Sequence, residues 1–264
     1  MVTRRIAGRS LAFLDAGDPA AGRVLVLVHA FPVGVRLFEP QLKAGPGWRM
    51  IAPALPGFDG SDLLDEASID AYARHVLALL DELGIGRAVF GGVSMGGHFT
   101  LAVLRQAPER VAGLVLANTR STADTTEALE GRRRMLQAVE VTGPVAAADA
   151  MIPRLLGRTT QERRPDIVAR VRRMILGQTA EGITAAIRVL MSRPDSTPLL
   201  SGIRVPALVV AGDEDALTPP AEMERMAAAI PQATFVRIPE AGHLSNLENP
   251  DAFNVAVNAF LGTV

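Results

Sequence analysis

Short, unbroken apolar runs alternate with longer amphipathic ones along most of this 264-residue chain. The short runs predict strands over residues 11–15, 24–28, 50–53, 88–93, 111–117, 207–211 and 234–238. Several contain only Val, Leu, Ala and their like, with no polar position, as in Val24 to Val28. That pattern belongs to strands buried on both faces of a parallel sheet rather than to half-solvated antiparallel ones. Helical spacing of apolar residues predicts helices over 69–83, 95–107, 220–229 and 251–261. Strand and helix in alternation give an α/β class fold, a mostly parallel central sheet flanked by helices.

Between residues 120 and 198 the strand pattern stops, and helices are predicted over 127–141, 145–156, 166–176 and 183–191, punctuated by prolines at 144, 153, 165, 194 and 198. This stretch reads as a helical cap, or lid, inserted before the penultimate strand and lying over the carboxyl edge of the sheet. Residues 1–119 and 199–264 then form the core. The insertion carries 13 arginines against 9 acidic residues, a net +4 within a chain of net −1. Solvated helix faces account for such a balance more simply than a charged pocket does. Arg132, Arg133 and Arg134, being consecutive, cannot all face one pocket from a helix.

Composition narrows the partners. At 48% hydrophobic and 21% charged residues the chain can build a substantial core. A net charge of −1 offers no attraction for nucleic acid or an anionic membrane. Cysteine is absent, which removes disulfides, thiolate zinc sites and a cysteine nucleophile. The first nine residues lack the apolar stretch of a secretory signal, and the longest apolar run, near 24–28, is too short to cross a bilayer. A cytoplasmic protein acting on a small molecule is expected, and pairing with a second copy through the insertion is left open.

The chemistry concentrates in Gly92-Val93-Ser94-Met95-Gly96, placed where a buried strand runs into a helix. A Gly-x-Ser-x-Gly turn there lifts the serine hydroxyl out of a sharp corner, within reach of a histidine. Side chains at Gly92 or Gly96 would crowd the neighbouring strand or helix. The amide of Met95 lies at a helix N-terminus, an unpaired donor in a positive dipole end.

An activated serine needs a base, and the base needs an acid. Of four histidines, His75 lies within a helix and reads as a surface or boundary residue. His98 follows Ser94 by one helical turn and points away from the corner. His243 sits in the glycine-flanked loop after the last strand, at the sheet edge where α/β folds gather their functional groups. Asp213, Glu214 and Asp215 follow the preceding strand; Asp215 is the chosen acid and Asp213 the reserve. Asn118, at the end of the strand before that, is an amide and cannot serve. The resulting order is Ser94, Asp215, His243.

His29-Ala30-Phe31-Pro32 follows the early strand, and with Pro56 to Asp62, Gly212 to Pro219 and Ala241 to Glu248 the chain resembles an α/β-hydrolase of the esterase, enol-lactonase and cofactor-free haloperoxidase branch. The resemblance implies that Phe31 supplies the second oxyanion amide beside Met95, and that His29 braces the loop. Phe31 and Leu244 are expected to contact substrate. Two positions depart from the branch, with Ala30 and Asp59 standing where glycine is usual. Asp59 tolerates the left-handed conformation, whereas Ala30 requires a negative φ or a shifted loop. The resemblance implies ester or lactone cleavage through an acyl-enzyme, without metal or organic cofactor. Enol-lactonase-like hydrolysis, perhydrolysis and a small-molecule receptor on the same fold are the alternatives.

Overall fold

The computed structural model describes residues 1–42, 45 and 47–264. Its sheet has eight strands: β1 (Val2–Ile6), β2 (Arg9–Ala16), β3 (Val24–Val28), β4 (Arg49–Pro53), β5 (Ala88–Val93), β6 (Val111–Ala117), β7 (Ala207–Gly212) and β8 (Ala233–Ile238). In space they lie in the order β1-β2-β4-β3-β5-β6-β7-β8. The β1–β2 and β2–β4 pairs are antiparallel and the remaining pairs parallel. Every residue of β3, β5 and β7 is buried, as their wholly apolar sequences require.

Helices α1 (Ile69–Glu82) and α2 (Met95–Gln106) pack against each other, with Tyr72 and Phe99 stacked at 5.7 Å between ring centroids. After β6 the chain leaves the sheet for α3 (Thr126–Thr142), α4 (Pro144–Leu155), α5 (Arg158–Arg163), α6 (Pro165–Leu176), α7 (Ala180–Met191) and α8 (Thr197–Leu200). It returns through β7, then α9 (Pro220–Ala228), β8, α10 (Ser245–Glu248) and α11 (Pro250–Leu261). The helical insertion therefore falls between β6 and β7. Side-chain caps fix several starts: Ser68 accepts from the Ala71 amide, Thr125 from Ala128 and Thr179 from Gly182.

β1, α5, α8 and α10 were not expected from the pattern. β1 reads Val-Thr-Arg-Arg-Ile, an edge strand whose three middle residues are exposed, so it carries no apolar run. α5, α8 and α10 span only six, four and four residues, too short for a helical period to register. No helix among the described residues is long and apolar enough to cross a membrane.

Candidate active site

The carboxyl ends of β5, β6, β7 and β8 meet at one rim of the sheet. Ser94 stands between β5 and α2 with φ 54° and ψ −112°, a strained conformation outside the left-handed helical region that residues other than glycine rarely adopt. Two glycines make the corner possible. A Cβ at Gly96 would overlap the Val28 carbonyl, and one at Gly92 would overlap the backbone of Gly96 and Gly97. The Ser94 amide is tied to the Ala117 carbonyl at 2.9 Å, anchoring the turn to β6.

Ser94 Oγ lies 2.7 Å from His243 Nε2, and His243 Nδ1 lies 2.8 Å from Asp215 Oδ2. His243 and Asp215 are both buried. Asp215 sits in a turn closed by its own amide on the Gly212 carbonyl. Its Oδ1 accepts from the amides of Leu217 and Thr218, at 2.8 and 3.0 Å. Its Oδ2 also accepts from Thr218 Oγ1 at 2.5 Å and Asn118 Nδ2 at 2.9 Å. Burial works against the charged form, but the His243 charge and the hydrogen bonds from His243 and Thr218 outweigh it and hold this carboxyl down at about 2.

The amides of Phe31 and Met95 have no protein acceptor among the described residues, and both residues line the same cavity as Ser94 and His243. That cavity has a volume of about 430 Å³. Two free N–H groups beside a nucleophile provide what a developing oxyanion needs. Ala30 keeps a negative φ, so the Phe31 loop forms without glycine, whereas Asp59 takes the left-handed conformation at φ 48°.

The other sequence candidates fall elsewhere. Asp213 points outward and pairs with Arg237 Nε at 2.7 Å. Glu214 binds the Thr159 amide and hydroxyl in the insertion, at 2.7 and 2.5 Å. His29 Nε2 accepts from the Leu55 amide at 3.1 Å, and its ring packs on Phe58, so it braces the loop. Leu244 was expected to contact substrate, but it is wholly buried in the core and does not line the cavity; its amide donates to Leu155 O and Glu248 Oε1, and its carbonyl accepts from the Leu247 and Glu248 amides. His75 is also not at the surface: α1 turns it inward to 6% exposure, because its position shares the apolar face of that helix. The insertion's arginines depart from the expectation of purely solvated faces. Arg132 and Arg134 both line the cavity, while Arg133 is exposed outside it, as residues two apart can do when long side chains curl toward one side.

Sequence reasoning missed Asn118, Thr218 and Glu248. Asn118, with φ 48°, donates to Asp215 Oδ2 and to the Gly242 carbonyl at 3.2 Å, and accepts from Ser245 Oγ. Glu248 accepts from the amides of Gly242, Leu244 and Gly157 at 3.0, 3.1 and 2.7 Å, and burial pushes its carboxyl up. Asn118 ends a strand at the functional edge, which is a signal for a role there; a carboxylate caught between loops leaves none.

The sheet order, the insertion after β6 and the strand-serine-helix corner define an α/β hydrolase. The chain belongs to the Alpha/beta hydrolase family, whose model matches residues 25–256. Among solved structures it is similar to a thermophilic esterase from Thermogutta terrifontis, at 39% identity and TM-score 0.94 over 99% of this chain and 98% of that one. It is also similar to the enol-lactonase from Burkholderia xenovorans LB400, at 29% identity and TM-score 0.91 over 99% of this chain and all of that one. In sequence it is 33% identical to 3-oxoadipate enol-lactonase 2 of Acinetobacter baylyi, over 73% of this chain and 70% of that protein. The protein is thus an α/β hydrolase related to esterases and enol-lactonases.

Proposed function

We propose that the protein is a serine hydrolase that cleaves a carboxylic ester or lactone through an acyl-enzyme on Ser94. The carrying observation is the unbroken hydrogen-bond chain from Ser94 Oγ through His243 to Asp215, opening on a cavity beside two free amides. His243 Nε2 removes the hydroxyl proton as Ser94 Oγ attacks the carbonyl carbon, and the Phe31 and Met95 amides hold the resulting oxyanion. Collapse expels the alcohol, which takes its proton from His243. Water activated by the same imidazole then breaks the acyl bond and regenerates the serine. Asp215, ionised throughout, holds Nδ1–H and steadies the imidazolium.

Ester and lactone cleavage use the same steps, since a lactone only keeps its leaving alcohol tethered. The 39% identity to an esterase and 33% to an enol-lactonase support both substrates of this one mechanism. A complete relay with unoccupied oxyanion donors favours catalysis over a receptor role. A serine at the corner does not supply the carboxylate needed for an alkyl-ester route.

Replacing Ser94 by Ala is expected to abolish hydrolysis of 4-nitrophenyl acetate and labelling by a fluorophosphonate probe, with an unchanged circular dichroism spectrum. Turnover by a folded Ser94→Ala protein would overturn the proposal.

A further inference from the structure

One wall of the Ser94 cavity is a buried cluster with more positive than negative charge. Asp124 is shared by two arginines, Arg193 through Nη2 at 2.7 Å and Arg132 through both Nε and Nη2. The side chains of Arg193 and Asp124 are only 2% and 3% exposed, and that of Arg132 is 26% exposed. All three residues line the cavity that holds Ser94 and His243. One carboxylate against two guanidiniums leaves one positive charge without a partner in a site largely shielded from water. Arg193 is tied further to the Leu190 and Thr122 carbonyls at 3.0 and 3.3 Å, yet its buried Nε–H has no partner among the described residues.

The remaining charged groups on the cavity do not cancel this excess. Arg120 is engaged by Glu222 at 3.4 Å and by the Leu217 carbonyl. Glu127 and two further arginines, Arg134 and Arg154, line the cavity at exposed positions. His98 lines the same cavity and makes no hydrogen bond to a described residue through either ring nitrogen. Burial, and then the charges of Arg193 and Arg132, hold it neutral. A neutral imidazole offers one donor and one acceptor. His98 follows Ser94 by four residues on α2, about 6 Å of helix rise. An anionic group lodged there would sit a few bonds from a carbonyl at Ser94.

We infer that Arg132, Arg193 and His98 form a carboxylate subsite, and that the favoured substrates are esters or lactones that themselves carry a carboxylate, such as half-esters of dicarboxylic acids. The inference rests on the serine hydrolase proposal for its chemistry, but the subsite can be tested by binding alone. A singly charged carboxylate matches the single excess charge, and Arg132, which spends Nε and Nη2 on Asp124, keeps Nη1 to donate to it. A neutral acyl chain of equal length would leave that charge uncompensated beside apolar surface, which is costly.

The test compares matched pairs on the full-length protein at fixed ionic strength. For 4-nitrophenyl hemiadipate against neutral 4-nitrophenyl hexanoate, kcat/KM is expected to favour the anion by about tenfold or more. The ratio is expected to fall to about one in Arg132→Gln and to survive largely in Arg132→Lys. Calorimetry should likewise find hexanoate binding the wild-type protein at least tenfold more tightly than neutral hexanamide. A wild-type kinetic or binding ratio at or below one, or a ratio unchanged in a folded Arg132→Gln protein, would overturn the subsite. The wild-type ratios decide even if Arg132→Gln does not fold. Failure to turn over either ester would overturn the hydrolase proposal instead, and the binding ratio would still judge the subsite.

Discussion

Three consecutive carboxylates follow β7, and their surroundings give each a different task. Asp213 reaches outward to Arg237, Glu214 turns up to Thr159 in the insertion, and Asp215 turns under His243. Sequence could narrow the acid to this stretch because a buried strand ends there at the functional edge. It could not separate the three by pattern, since the choice depends on a turn that lets Asp215 cap the Leu217 and Thr218 amides. In Asp215→Asn the amide can no longer hold the charge on the imidazolium and favours the wrong tautomer. A loss on the order of 10³- to 10⁴-fold in kcat is expected, with the fold retained. Asp213→Asn removes one exposed ion pair, worth little, and should leave kcat within about twofold. Steady-state kinetics on the two variants separates these expectations, and a reversed result would reassign the acid.

At the scale of elements, the strands that could be read in advance are those whose two faces are both covered. The corner at Ser94 was legible for a similar reason, since glycines on either side of a serine have few other uses between a strand and a helix. The loop that bears His243 was legible only in part, because it is held from outside. The His243 and Leu244 amides donate to the Leu155 carbonyl at 3.0 and 3.2 Å, and Glu248 accepts from the Leu244 amide too and from those of Gly242 and Gly157. The end of α4, the start of α5 and the histidine loop are therefore one hydrogen-bonded knot. In Glu248→Gln one acceptor oxygen becomes an NH₂ facing an N–H donor, so a buried amide is left unpaired. A destabilisation of about 1–3 kcal/mol is expected. Because the loosened backbone carries His243, kcat should fall while KM changes little. Thermal melts paired with kinetics check both, and a stability loss with unchanged kcat would limit Glu248 to a structural part.

Over the whole molecule, the alternation of elements fixed the class of fold, and the abrupt end of strand pattern at residue 120 marked the insertion. How the insertion meets the sheet was not legible, because those contacts join side chains to distant backbone with no periodicity to announce them. Asp59 is an instance. Its left-handed backbone could be anticipated, but not its use: Oδ2 accepts from the Val35 amide at 2.7 Å, just past the Phe31 loop, while Oδ1 and the Asp59 amide form a two-way pair with Gln178 between α6 and α7. One side chain thus ties the proposed oxyanion loop to the insertion. Asp59→Gly keeps the backbone conformation and removes the side-chain bonds, which isolates the tie from strain. Losing bonds to a part-buried carboxylate should cost about 1–3 kcal/mol, or a Tm lower by several degrees in a chain of this size. If the tie also positions the Phe31 amide, kcat should drop together with Tm. In that event, adding Gln178→Ala to Asp59→Gly should cost little more than the single change, since both remove the same pair. Fully additive losses in the double variant would mean that Asp59 and Gln178 act separately, and the link between loop and insertion would fall.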